Sequence, residues 1–84
     1  MEPVKFKRLD PAAILPTYAT PGSAGADLYA LPSGEPVVIA PGATACIRTG
    51  LAAAIPCGYV GLVFARSGLA CRQGLAPANK VGVI

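Results

Sequence analysis

Tyr59-Val60-Gly61-Leu62-Val63-Phe64 is the stretch on which the fold turns, and it runs directly into Ala65-Arg66-Ser67-Gly68-Leu69-Ala70. β-Branched and aromatic residues dominate the first six positions, so the run predicts a strand buried on both faces. The polar pair Arg66-Ser67 ends it. Ser67 is a good N-cap, Gly68 to Gln73 suit a short helix, and Gly74 suits its left-handed termination. A helix start offers unpaired backbone N–H groups, and the Arg66 guanidinium adds a fork of donors beside them. Two readings fit this corner: a cradle for phosphate, or an ordinary strand-to-helix junction with a capping serine and a surface arginine.

On either side of this stretch, turn signals recur at Pro16, Pro21-Gly22, Pro32-Ser33-Gly34, Pro41-Gly42, Pro56-Cys57-Gly58, Gly68, Gly74 and Pro77. Turns about every ten residues with short β-rich runs between them indicate a sandwich or barrel rather than a helical bundle. Val4-Lys5-Phe6-Lys7 alternates apolar and basic residues, as in a strand with one solvated face. Asp10-Pro11 before Ala12-Ala13 suits a single helical turn, with aspartate as cap and proline at the first helical position. Val37-Val38-Ile39 and Thr44-Ala45-Cys46-Ile47 flank the Pro41-Gly42 turn as short buried strands. Ala52-Ala53-Ala54 favours helix by propensity, but Pro56 leaves too few residues to offset helix nucleation, and strand is expected there.

Eighty-four residues allow one domain at most, and a domain of that size removes only about 60% of its unfolded surface from water. With 54% hydrophobic and 13% charged residues, part of the apolar surface needs a cover: another subunit, or strands outside this stretch. The net charge of +3 includes Lys5, Lys7 and Arg8 near the N-terminus but forms no dense basic stripe with interleaved aromatics, which argues against a nucleic-acid surface. Cys46, Cys57 and Cys71 are odd in number, form no C-x-x-C and have no histidine beside them, which excludes a structural zinc set. The charged start Met-Glu-Pro-Val-Lys-Phe-Lys-Arg is unlike a secretory signal, so a cytoplasmic protein with reduced thiols is expected. The 17-residue uncharged run between Arg48 and Arg66 contains Pro56 and three glycines, and reads as two strands and a turn rather than a membrane span.

Two further residues carry chemistry. Asp27 sits in the small, apolar run Ala24-Gly25-Ala26-Asp27-Leu28-Tyr29-Ala30, where burial is costly without a partner or cation; the alternative is a turn aspartate facing water. Asn79 precedes the glycine-containing run Val81-Gly82-Val83-Ile84. Its amide can read the edge of a pyrimidine together with strand backbone groups, or it is simply a turn residue.

In this order, the segments resemble the dUTPase family. Pro21-Gly22-Ser23-Ala24-Gly25-Ala26-Asp27-Leu28 is similar to its first motif, Ala65-Arg66-Ser67-Gly68-Leu69-Ala70 to its second, and Asn79-Lys80-Val81-Gly82-Val83-Ile84 to the opening of its third. The resemblance implies an all-β, distorted jelly-roll-like barrel, incomplete here, with one short helix after Arg66-Ser67, and residues 1–84 as a single partial domain. It implies hydrolysis of dUTP to dUMP and pyrophosphate with Mg2+, by water attacking the α-phosphorus. Asp27 would hold waters on the metal, Ser67 and the Gly68 N–H would contact phosphate oxygens, and Arg66 would organise the phosphate site. Asn79 and the backbone of Val83 and Ile84 would read uracil and sugar, excluding thymine and ribose. The full-length form would be a homotrimer, without nucleic-acid or membrane partners.

Position 65 is alanine where many members have proline. After Gly-Val-Ile the family continues with an aspartate acting as general base and a tyrosine that packs on the deoxyribose, so the expected catalytic aspartate follows Ile84. The 84 residues are therefore expected to be inactive alone. Two alternatives remain: a non-catalytic deoxyuridine-nucleotide-binding module, and a relative of dCTP deaminase, which fits the Arg66 and Asp27 segments less well.

Overall fold

The computed structural model of the chain describes residues 3–32 and 34–84. Met1, Glu2 and Ser33 lie outside the described residues, and with them the middle of the expected Pro32-Ser33-Gly34 turn. The fold is β-rich, in the order β1 (Lys5–Arg8), β2 (Leu51–Ala54), β3 (Leu62–Val63), α1 (Ser67–Gln73) and β4 (Gly82–Val83). The described residues form two compact units, Lys5–Ala54 and Ile55–Ile84, the second including Pro3 and Val4.

In the first unit, β1 and β2 pair antiparallel in the register Lys5↔Ala54, Phe6↔Ala53, Lys7↔Ala52 and Arg8↔Leu51. The alanine run is thus strand, as the proximity of Pro56 implies, because each residue gains a ladder partner that an abortive helix could not supply. Beyond the ladder, the Leu9 N–H donates to the Gly50 carbonyl at 2.7 Å. Gly50 has φ 71°, and a Cβ there would lie 3.0 Å from Leu31 Cδ1 and 3.1 Å from Ala13 Cβ, so conformation and space both require glycine. Here the interior sits: Ala13, 5% exposed, is the buried apolar side chain among the described residues. The expected helical turn after Asp10 closes as one hydrogen-bonded turn without helix. The Ala13 N–H donates to the Asp10 carbonyl at 3.0 Å, and the Ala12 N–H to Asp10 Oδ1 at 2.8 Å, so the aspartate caps as anticipated.

Val37-Val38-Ile39 and Thr44-Ala45-Cys46-Ile47 are not strands, and Val37, Val38 and Ile47 are exposed. The Pro41-Gly42 turn between them does form, with the Ala43 N–H donating to the Ala40 carbonyl at 2.9 Å. β-Propensity describes residues that fit a pleated surface; it supplies no ladder partner, and these runs have none.

In the second unit, the Pro56-Cys57-Gly58 turn closes through the Tyr59 N–H and the Pro56 carbonyl at 3.1 Å. The expected doubly buried strand from Tyr59 to Phe64 shortens to β3, paired antiparallel with β4 as Leu62↔Val83 and Val63↔Gly82. Tyr59, Val60, Leu62 and Phe64 are exposed, because a two-stranded ribbon has no layer packed across its faces. No barrel closes among the described residues. Helix α1 begins one residue earlier than expected: Ser67 is its first helical residue, and Arg66, with φ −71° and ψ 134°, holds the N-cap position without a side-chain cap bond. A guanidinium has no acceptor, so it cannot cap as serine would. Gly74 ends the helix at φ 67° and ψ 20°, as anticipated, and the Leu75 N–H returns to the Leu69 carbonyl at 3.0 Å. Among the described residues no helix is long and apolar enough to cross a membrane.

Candidate functional site

Three of the expected site residues, Arg66, Ser67 and Gly68, form the junction between β3 and α1. The first helical hydrogen bond runs from the Ala70 N–H to the Arg66 carbonyl at 2.9 Å. Helix geometry therefore leaves the N–H groups of Ser67, Gly68 and Leu69 without intrahelical partners. With extended backbone at Arg66 and a hydroxyl on the first helical residue, the corner carries donors suited to phosphate oxygens. The first turn of α1 carries no acidic side chain.

Asn79, Val83 and Ile84 lie in the same unit. Asn79 belongs to a turn closed by the Lys80 N–H and the Pro77 carbonyl at 2.9 Å. A tighter one follows, with the Val81 N–H on the Asn79 carbonyl at 2.8 Å and Lys80 at φ 68°. That i→i+2 closure with positive φ is a rare, strained turn, and nothing in a lysine signals it from sequence. The turn brings the Asn79 amide back over β4, where its Nδ2 lies 4.0 Å from the position a Cβ on Gly82 would take.

The pairing of β3 with β4 then separates the two backbone candidates. Ile84 exchanges both hydrogen bonds with Gly61, its N–H donating at 2.8 Å and its carbonyl accepting at 3.1 Å. In an antiparallel pair such positions alternate with ones whose N–H and C=O point away from the partner strand. Val83, opposite Leu62, is of the second kind. Its backbone donor and acceptor face away from β3, whereas the polar groups of Ile84 are already engaged.

Asp27 belongs to the other unit. It is half-buried and forms an isolated antiparallel bridge with Thr17, donating its N–H to the Thr17 carbonyl at 2.7 Å and accepting the Thr17 N–H at 3.3 Å. Thr17 Oγ1 and the Tyr29 hydroxyl are hydrogen-bonded at 2.7 Å. Sequence reasoning singled out neither residue, since a contact spanning twelve positions leaves no local pattern. Among the described residues no group of three or more His, Cys, Asp or Glu side chains is gathered to hold a metal. A single carboxylate forms no protein cage, and a hard cation such as Mg2+ that keeps its waters and rides on a polyphosphate needs none. Cys46, Cys57 and Cys71 are free and exposed.

Residues 11–84 match the family model described as dUTPase, and the chain belongs to that family. It is 51% identical over 81 residues to the deoxyuridine 5'-triphosphate nucleotidohydrolase of Thermobifida fusca (strain YX), an alignment covering 96% of this chain and 44% of that one. It is also 51% identical over 81 residues to the protein of the same name from Syntrophotalea carbinolica, covering 96% and 54%. To that of Mycobacterium marinum it is 56% identical over 77 residues, covering 92% and 48%. The chain thus spans about half the length of the curated relatives it matches. No solved structure matches it.

Proposed function

We propose that the protein to which these residues belong is a dUTP diphosphatase, converting dUTP and water to dUMP and pyrophosphate. The observation that carries this reading is the outward polar edge of Val83 on β4, the strand onto which the turn returns the Asn79 amide. A donor, an acceptor and an amide together match the alternating N–H and C=O groups of a uracil edge. In the same unit, Arg66, the Ser67 hydroxyl and the Gly68 N–H supply charged and neutral donors to phosphate oxygens. Magnesium, when bound with the triphosphate, supplies charge neutralisation on the phosphate oxygens. Asp27 orients its water. The reading further includes a cytoplasmic homotrimer with a jelly-roll-like barrel and no nucleic-acid or membrane partner. The exposed apolar side chains of Tyr59, Val60, Phe64 and Val83 support association of copies.

Attack by water needs a basic group within hydrogen-bond reach, and the 84 residues contain four carboxylates: Glu2, Asp10, Asp27 and Glu35. Asp27 is assigned to the metal water, Asp10 caps a turn, Glu35 lies in a loop, and Glu2 lies outside the described residues. The 84-residue polypeptide alone is therefore expected to bind nucleotide weakly at most and to release no pyrophosphate above a protein-free blank. For the protein, turnover of dUTP in 18O-labelled water tests the reading. Pyrophosphate release with the label in dUMP is expected; orthophosphate release, or ammonia from dCTP instead, contradicts it.

A further inference from the structure

Directly opposed residues of an antiparallel pair project their side chains to one face, and a residue two positions along an extended strand returns to that face. Thr17 opposes Asp27, and Tyr29 follows Asp27 by two. The 2.7 Å bond between Thr17 Oγ1 and the Tyr29 hydroxyl shows the shared face directly, and the Asp27 carboxylate belongs to it. Between Thr17 and Asp27 the chain makes an excursion whose tip is stitched by its own bonds. The Ser23 N–H donates to the Thr20 carbonyl at 3.1 Å, and the Thr20 and Ser23 hydroxyls meet at 2.8 Å.

A single bridge is a weak register device, since a slip of one residue would turn Asp27 to the opposite face. We propose that the Thr17–Tyr29 hydroxyl pair locks this register, making both positioning residues for the Asp27 carboxylate. The lock acts at the base of the excursion, so it fixes the direction of the carboxylate without touching substrate or metal. This rests on the reading of Asp27 as the group that orients magnesium-bound water.

Two measurements on the protein test it, with Tyr29→Phe and Thr17→Val removing a hydroxyl and Thr17→Ser retaining one. In amide hydrogen exchange, the Asp27 N–H is expected to exchange about fivefold faster in Tyr29→Phe and Thr17→Val, matching the loss of one ordinary hydrogen bond. Thr17→Ser should behave as wild type, and the Ser23 amide should be unaffected. In dUTP turnover, the half-saturating magnesium concentration is expected to rise in the two hydroxyl-deleted variants, with kcat at saturating magnesium unchanged. Unchanged exchange and magnesium dependence in a wild-type-active protein overturn the lock alone, as does uniform acceleration of every amide, which marks a general structural role. Absence of dUTP turnover in the wild type overturns the functional reading and, with it, the assignment to a metal-directed carboxylate.

Discussion

Five N–H donors and no acceptor decide what Arg66 can do at the start of α1: it cannot cap the helix, but it can grip an anion. A lysine keeps the charge and loses the fork. Arg66→Lys is therefore expected to lower kcat/KM for dUTP by about tenfold or more, the cost of one charge-assisted hydrogen bond, in steady-state kinetics. At the other end of the helix, Gly74 holds φ 67° in open space, so the cost of a Cβ there is conformational rather than steric. Gly74→Ala should lower unfolding free energy by about 1 kcal/mol and Gly74→Asn by less, read from urea denaturation. Gly74 was legible because termination in the left-handed region is local chemistry, whereas the expected Ser67 cap was not: Arg66 holds that position without a side-chain bond, and Ser67 is already helical. Lys80 was not: its positive φ comes from closure of a turn onto β4, which residue type does not encode. Thr17 and Tyr29 were equally silent, being brought together only by the bridge.

Among the elements, β1 and β2 were legible for different reasons. Alternation marked β1, while β2 was read against propensity from the closeness of Pro56. Ala53 stands opposite Phe6 and is exposed, so a β-branched residue can be added without overpacking. Ala53→Val is expected to stabilise the protein by about 0.5 kcal/mol through a cross-strand pair with the aromatic ring. A loss of stability in urea denaturation would show the segment to be other than strand. The runs around Pro41-Gly42 and the ends of the Tyr59–Phe64 run were misread for one reason. Their β-branched residues fit a sheet, but whether a second strand lies alongside is a long-range fact. For Val83 and Ile84, the expected backbone readers of uracil, the sequence does not tell which has its polar groups engaged in the ladder. Only the pairing of Gly61 with Ile84 leaves the Val83 groups facing outward.

For the molecule as a whole, apolar composition and small size imply surface that needs a cover, and Phe64 at 64% and Val83 at 71% exposure are parts of that surface. Sedimentation of the protein is expected to give three times the subunit mass; a monomer contradicts the proposed assembly. The family was legible from three short motifs in order, two of them lying on one unit and the third on the other. Selectivity is the property in which the proposed roles converge, because on that proposal the outward Val83 groups and the Asn79 amide would admit uracil and refuse its methylated counterpart. The deciding measurement is kcat/KM for dUTP against dTTP with magnesium present. A preference for dUTP of at least about 100-fold is expected, whereas equal turnover of the two nucleotides would refute a uracil-reading site at β4.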